Sequence, residues 1–204
     1  TWYEAVAFCN MLTLKIDELK DERVYYSDAQ FTQSYTKEDA QYKNGDKLEP
    51  KPVYANWEKK GFRLPTDCEW EWAARGGQTF KFAGSDDLNE VGWSKENSNS
   101  KTHQVALKKV NEYGLYDMSG NVAEWCWDWK GDNTPPGGID PLGVAEENSP
   151  DKARVLRGGD WKSSKGSTKV FSRELAQPGF AKAGNTYTVP KEKRSRIGFR
   201  IVCR

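Results

Sequence analysis

One histidine, two methionines and four cysteines are all that 204 residues contain of these types. A single imidazole, His103, cannot build a His-rich metal centre and leaves a Ser-His-Asp triad poorly supplied, so His103 reads as an ordinary surface or loop residue. Cys9, Cys68, Cys126 and Cys203 stand too far apart for a CxxC zinc or redox motif. One or two disulfides would suit an exported chain and four buried thiols a cytosolic one, and the spacing does not choose between them. Charge of one sign is also missing: 31 basic and 30 acidic residues nearly cancel, so no global field gathers nucleic acid or anionic membrane, and no nucleic-acid partner is expected. No apolar run approaches the ~20 residues that span a bilayer. Signal-peptide and lipidation motifs, internal repeats and low-complexity tracts are likewise not found in these residues.

Large rings are plentiful: 13% of residues are aromatic, nine of them Trp, and they must supply much of the core of a chain only 36% hydrophobic. The length suits one domain over residues 1–204. Trp2, Ala5, Val6, Cys9 and Leu12 recur at helical spacing, which predicts an amphipathic helix from Thr1 to Leu12. Residues 15–60 are polar, with a turn signal at Asn44-Gly45-Asp46, and read as loops and short strands. Thr66 with Glu69 three residues on forms a capping box that starts a second helix, and Arg75-Gly76-Gly77 ends it; Trp70, Ala73 and Ala74 are its core face. Trp125, Trp127 and Trp129 alternate, which predicts a strand with three rings on one face, read as the wall of the core in preference to a stacking platform. Arg154–Trp161 and Ile197–Val202 read as two further strands. The 35 residues between Trp161 and Ile197 are irregular, polar and long for a structureless connection, and such loops commonly carry function.

Four blocks, Phe8 to Leu12, Gly61 to Gly77, Tyr113 to Trp129, and Arg154 to Trp161 closing with Gly198-Phe199-Arg200, together resemble the formylglycine-generating-enzyme (sulfatase-modifying factor) family, in that family's order. The resemblance implies an α+β domain of C-type-lectin-like fold, formylglycine-generating-enzyme type, with much irregular structure, and places the family's first strands upstream of Thr1. Active members hold copper through two cysteines, since soft thiolates select Cu(I). The corresponding positions here are Ser163 and Thr168, and no hydroxyl replaces a thiolate, so no enzyme activity is expected. The sulfoxide-forming use of this fold needs an iron-binding His cluster that one His cannot provide. The Glu-Pro-Asn sugar motif of true C-type lectins is absent.

The C-terminal part, residues 154–204, also resembles the variable proteins of diversity-generating retroelements. What that implies is a fixed frame of Arg154 to Gly159, Trp161, Val170, Arg173, Pro178 and Ile197 to Arg200. Between them lie ligand-binding positions rewritten at adenine-containing codons: Asp160, Lys162, Ser163, Ser164, Gly166, Ser167, Phe171, Glu174, Leu175, Ala176, Gln177, Gly179, Phe180 and Ala181. Apolar Phe171, Leu175 and Phe180 beside Lys162 and Glu174 suit a paratope-like patch for protein ligands, although Phe171 and Leu175 taken singly suit a core equally well. A diversified receptor implies display at the cell surface or outside the cell, membrane attachment only through an upstream lipid anchor, and a domain with one fixed partner as the alternative. Family resemblance further suggests a Cys9–Cys203 bridge. It also suggests a structural calcium ion at Asn121, the Val122 carbonyl and Glu124, whose oxygens suit a hard cation; the alternative there is a left-handed turn at Asn121 with Glu124 paired to an arginine. No other cofactor is expected.

Overall fold

A computed structural model describes residues 1–45, 47–132, 141–179, 181–183, 186–188 and 195–203. Their contacts gather into two compact units, one made of Thr1–Leu64, Gln177–Pro190 and Arg200–Arg204, the other of Pro65–Ala176 and Lys191–Phe199. No helix among the described residues is long and apolar enough to cross a membrane.

The first unit is organised by helix α1 (Trp2–Thr13), one residue later than the periodicity predicts. Thr1 is its cap: the hydroxyl accepts from the Glu4 amide at 3.2 Å while the Glu4 carboxylate takes the terminal amine at 2.9 Å, which satisfies donors at the helix start. Its inner face buries Trp2, Ala5, Val6 and Cys9. Asn10 on that face is buried, and its amide is fully used: the nitrogen donates to the carbonyls of Tyr25 and Tyr35 at 2.7 and 3.0 Å, and the oxygen accepts from the Tyr25 amide at 3.1 Å. One side chain thus fixes strand β1 (Tyr25–Tyr26), which pairs antiparallel with β4 (Tyr54–Ala55). A one-turn helix α2 (Lys37–Ala40) interrupts the polar segment where loops and strands were expected. Its signal, Thr36 and Asp39 in capping-box spacing, is in the sequence. The turn signal at Asn44 is realised as hairpin β2 (Lys43–Asn44) and β3 (Lys47–Leu48), with Gly45 at φ +62°. A second hairpin pairs β8 (Ala181–Ala183) with β9 (Thr186–Thr188).

The suggested Cys9–Cys203 bridge is not formed, and all four cysteines are unbridged. Cys9 lies in the core, where burial pushes its thiol up to about 12. Cys203 is exposed and donates to the Lys60 carbonyl at 3.1 Å.

The second unit is built on a four-stranded sheet. Its order is β10 (Ile197–Phe199), β5 (Ala123–Trp129), β6 (Arg154–Arg157), β7 (Arg173–Ala176). β10 runs parallel to β5 and the other pairs are antiparallel. Helix α3 (Asp67–Arg75) starts with the expected Thr66–Glu69 capping box and stops at Gly76, which is left-handed at φ +59°. It places Trp70 in a core with Ala74, Ala83, Met118, Cys126, Val155 and Val170, and Ala73 packs partly buried against it. A short helix α4 (Leu88–Val91) adds a small cluster of Phe82, Leu88 and Val91.

Two expectations fail here for identifiable reasons. Trp125 lies opposite Leu156 and Trp129 opposite Arg154, with a register shift between them, and it is Cys126 on the alternate positions that joins Val155 in the core cluster. Trp125 is buried, whereas Trp127 and Trp129 are half-buried and flank the buried guanidinium of Arg154, whose carbon lies 5.1 and 3.6 Å from the two ring centres. The long connection after Trp161 is likewise not structureless. It contains β7, whose residues pair with all four positions of β6, a long-range pairing that local composition does not announce.

Candidate ligand-binding site

Residues 158–172 leave β6 through two consecutive left-handed glycines, Gly158 at φ +82° and Gly159 at φ +65°. A Cβ on Gly159 would come to 3.0 Å from the Ser167 carbonyl oxygen, so a side chain there would push the two limbs of the loop apart and strain a left-handed backbone. The loop is fastened at each turn. Gly120 donates to the Gly158 carbonyl at 2.8 Å, the Trp161 amide donates to Asn121 at 3.0 Å, and the Trp161 indole donates to the Ser195 carbonyl at 3.0 Å. Asp160 is buried. One of its oxygens accepts from the amides of Lys162 and Ser163 at 2.7 and 3.1 Å, and the other meets the Arg196 guanidinium at 2.8 and 3.0 Å. Ser163 returns a bond, its hydroxyl accepting from the Asp160 amide at 3.1 Å, and Thr168 donates to the Lys165 carbonyl at 3.1 Å.

Beneath the loop lies a wholly buried guanidinium. Arg157 donates to Asp67, to Glu71 at 2.9 Å, and to the carbonyls of Val170 and Ser172 at 3.1 and 3.2 Å. Arg173 adds a second cation 2.7 Å from the other Asp67 oxygen, an ion pair without hydrogen-bond alignment. Asp67 also donates its backbone amide to Asp128 at 2.6 Å. Burial, with the Asp67 charge nearby, pushes the Asp128 carboxyl up to about 6.

The expected binding positions divide by burial. Lys162, Ser164, Gly166, Phe171, Leu175 and Gln177 are exposed, with Phe171 at 52% and Leu175 at 44%. Ser167, Glu174 and Gly179 are half-buried. Asp160, Ser163 and Ala176 are buried, the first two because they tie the loop to itself and Ala176 because it pairs with Arg154. Gln177 and Gly179 belong to the first unit, Phe180 lies outside the described residues, and Ala181 opens β8. Asp160, Glu174, Leu175 and Ala176 come together with Ala123, Leu156, Arg196 and Ile197 around a concavity of about 100 Å³. Burial raises the pKa of the Glu174 carboxyl there, although the Ser167 hydroxyl donates to it. Sequence reasoning did not single out Arg196, whose partner Asp160 is 36 residues away in the chain and carries no local signal.

A family model for the sulfatase-modifying factor enzyme 1-like domain matches residues 1–204. The chain belongs to this family. The solved structure of Treponema denticola variable protein 1 is 36% identical to this sulfatase-modifying factor domain, with a TM-score of 0.72 over 100% of this chain and 69% of the other. The chaperone protein LppX of Paenibacillus barcinonensis is 35% identical over 200 residues, 88% of this chain and 61% of that protein. The formylglycine-generating enzyme of Streptomyces coelicolor is 36% identical over 131 residues, covering 53% and 38%. The inactive Cα-formylglycine-generating enzyme 2 of Mus musculus is 30% identical over 176 residues, covering 76% and 49%. The chain thus spans about three fifths of LppX and less of the other two, and its relatives include proteins named as active and as inactive. The mixed helix and strand architecture with little regular structure is the formylglycine-generating-enzyme type.

In this sulfatase-modifying factor domain Ser163 and Thr168, where the sequence resemblance would put the copper cysteines, carry hydroxyls that are spent inside the loop, Ser163 on Asp160 and Thr168 on Lys165. The two thiols of its second unit lie elsewhere, Cys68 on α3 and Cys126 on β5, and burial raises both. Asn121 takes the left-handed conformation at φ +65°. Its amide oxygen accepts from the His103 amide at 3.0 Å and its nitrogen donates to the His103 carbonyl at 3.1 Å. Glu124 accepts from the Trp70 indole at 2.6 Å. These oxygens are of the hard type calcium takes, yet the Asn121 amide and one Glu124 oxygen already serve the protein's own backbone and core. His103 is more than a loop residue: its ring stacks on Trp93 at 3.8 Å between centres, and Nε2 meets the Ser98 carbonyl at 2.7 Å.

Proposed function

We propose that this domain is a non-catalytic receptor whose loop and edge strand, residues 160–176, bind protein ligands and are diversified by a retroelement. The observation that carries the reading is the division of labour on one loop. Glycine turns and buried bonds hold the backbone, while Lys162, Ser164, Phe171 and Leu175 stand in solvent, where they can change without loss of the core. The likeness to a protein named variable protein 1 supports it, as do hydroxyls in place of both copper ligands. Cell-surface display through an upstream lipid anchor is part of the proposal, because a diversified receptor must meet outside partners. Calcium at Asn121, Val122 and Glu124 would be structural only.

Sequencing of the surrounding locus tests this. A near-copy of the segment encoding Arg154 to Arg204, differing at adenines and lying beside a reverse-transcriptase gene, is the expected result. Absence of both moves the weight to a domain with one fixed partner, a reading favoured by the likeness to a protein named as a chaperone. Formation of formylglycine from a cysteine peptide by the purified, copper-loaded protein would sink the non-catalytic reading.

A further inference from the structure

The concavity beside the loop differs in kind from the exposed side chains around it. At about 100 Å³ it has room for the end of one side chain and falls short of the several hundred Å³ typical of small-molecule sites. Its lining is mixed: Ala123, Leu156, Leu175, Ala176 and Ile197 supply apolar atoms, and Asp160, Arg196 and Glu174 supply polar groups. Asp160 and Arg196 cancel each other, joined at 2.8 and 3.0 Å. Glu174 is left over. It is half-buried, its carboxylate has the Ser167 hydroxyl as donor, and the opposed charges of Arg196 and Asp160 both reach it, but among the described residues no basic side chain forms an ion pair with it.

We propose that this concavity is the anchor pocket of the receptor surface and takes the basic end of a lysine or arginine side chain from a protein ligand, with Glu174 as counter-charge. The assignment rests on the receptor reading above. A half-buried carboxylate is costly to keep ionised, as the raised Glu174 shows, and an entering cation removes that cost. An acidic or neutral end would leave the charge without compensation. Arg196 is already committed to an anion, its Nε and Nη2 both held by Asp160. Exposed Leu175 at the rim suits the methylene stem of a long basic residue, which lies along apolar surface while its head finds the charge.

Panning a random peptide library against the intact protein tests the pocket, with Glu174→Gln and Phe171→Asp as comparison variants and thermal melts to confirm that both fold. The expected result is a recurrent Lys or Arg in selected peptides, with binding to Glu174→Gln weaker by on the order of tenfold or more. Selected peptides that lose binding to Phe171→Asp but show no basic preference and bind Glu174→Gln unchanged would overturn the pocket while keeping the receptor. Peptides indifferent to both substitutions, or no enrichment at all, would overturn both.

Discussion

Arg157 and Arg196 each grip a buried aspartate in the same unit, and there the likeness stops. Arg157 is fully enclosed and meets two carboxylates and two carbonyls, with Arg173 opposite as a second cation. Arg196 is 30% exposed, pairs with one aspartate, and shares its concavity with a second carboxylate, Glu174, which feels its charge without forming an ion pair with it. The first arrangement is closed and can only hold strands and helix together. The second holds the loop and leaves one charge to spare, which is the form a recognition site takes.

The sharpest way to break the comparison is to remove each guanidinium's contribution in turn. Arg157→Ala leaves the buried Asp67 with Arg173 as its one cation and is expected to cost about 3–5 kcal/mol in chemical denaturation. Arg157→Met, which packs but cannot pair, destabilises too because Asp67 remains. Asp128 is the next largest lever. Its folded pKa of about 6 lies above the ordinary 3.8, so the fold favours the protonated acid. The resulting stability is full below pH 3.8 and is lost as pH rises through about 6, with an upper bound of about 3 kcal/mol. Stability measured from pH 7 down to pH 5 should therefore gain from this group, and Asp128→Asn should flatten that slope. A wild-type protein with no slope in that window would refute the assignment.

Asp160→Ala frees two loop amides and Arg196, and about 1–3 kcal/mol of destabilisation is expected from melts. Smallest of all, Lys162→Ala and Phe171→Ser should stay within about 0.5 kcal/mol of the parent, because both side chains stand in solvent. If Phe171→Ser instead costs as much as a core truncation, the exposed loop is a packing element and the contrast between the two arginine sites loses its functional meaning.

The legible parts of this fold were those with local signals. Thr66 and Glu69 announced α3, Gly76 its end, and the spacing of Trp2, Ala5, Val6 and Cys9 announced α1. What stayed hidden depends on residues far apart in the chain. Trp127 and Trp129 flank Arg154 of the neighbouring strand, and β7 exists because it pairs with β6, not because its own four residues favour a strand. The same holds for the site. Exposure of Lys162, Phe171 and Leu175 followed from reading the loop as surface, whereas the inward turn of Asp160 and Ser163 follows from Arg196 and from backbone bonds that no pattern displays.

The paired glycines after β6 carry a consequence at the level of codons. Gly158 and Gly159 sit at φ +82° and +65°, and a Cβ on the second would crowd the Ser167 carbonyl. Glycine codons hold no adenine in their first two places, and the tryptophan codon, needed for Trp161, holds none at all. Where the template copy encodes the same two glycines and tryptophan, a process that rewrites template adenines leaves the hinge on which the loop turns unchanged, however often it runs. The steric requirement and the genetic code would protect the same positions, so a lineage could sample new surfaces without testing a broken turn.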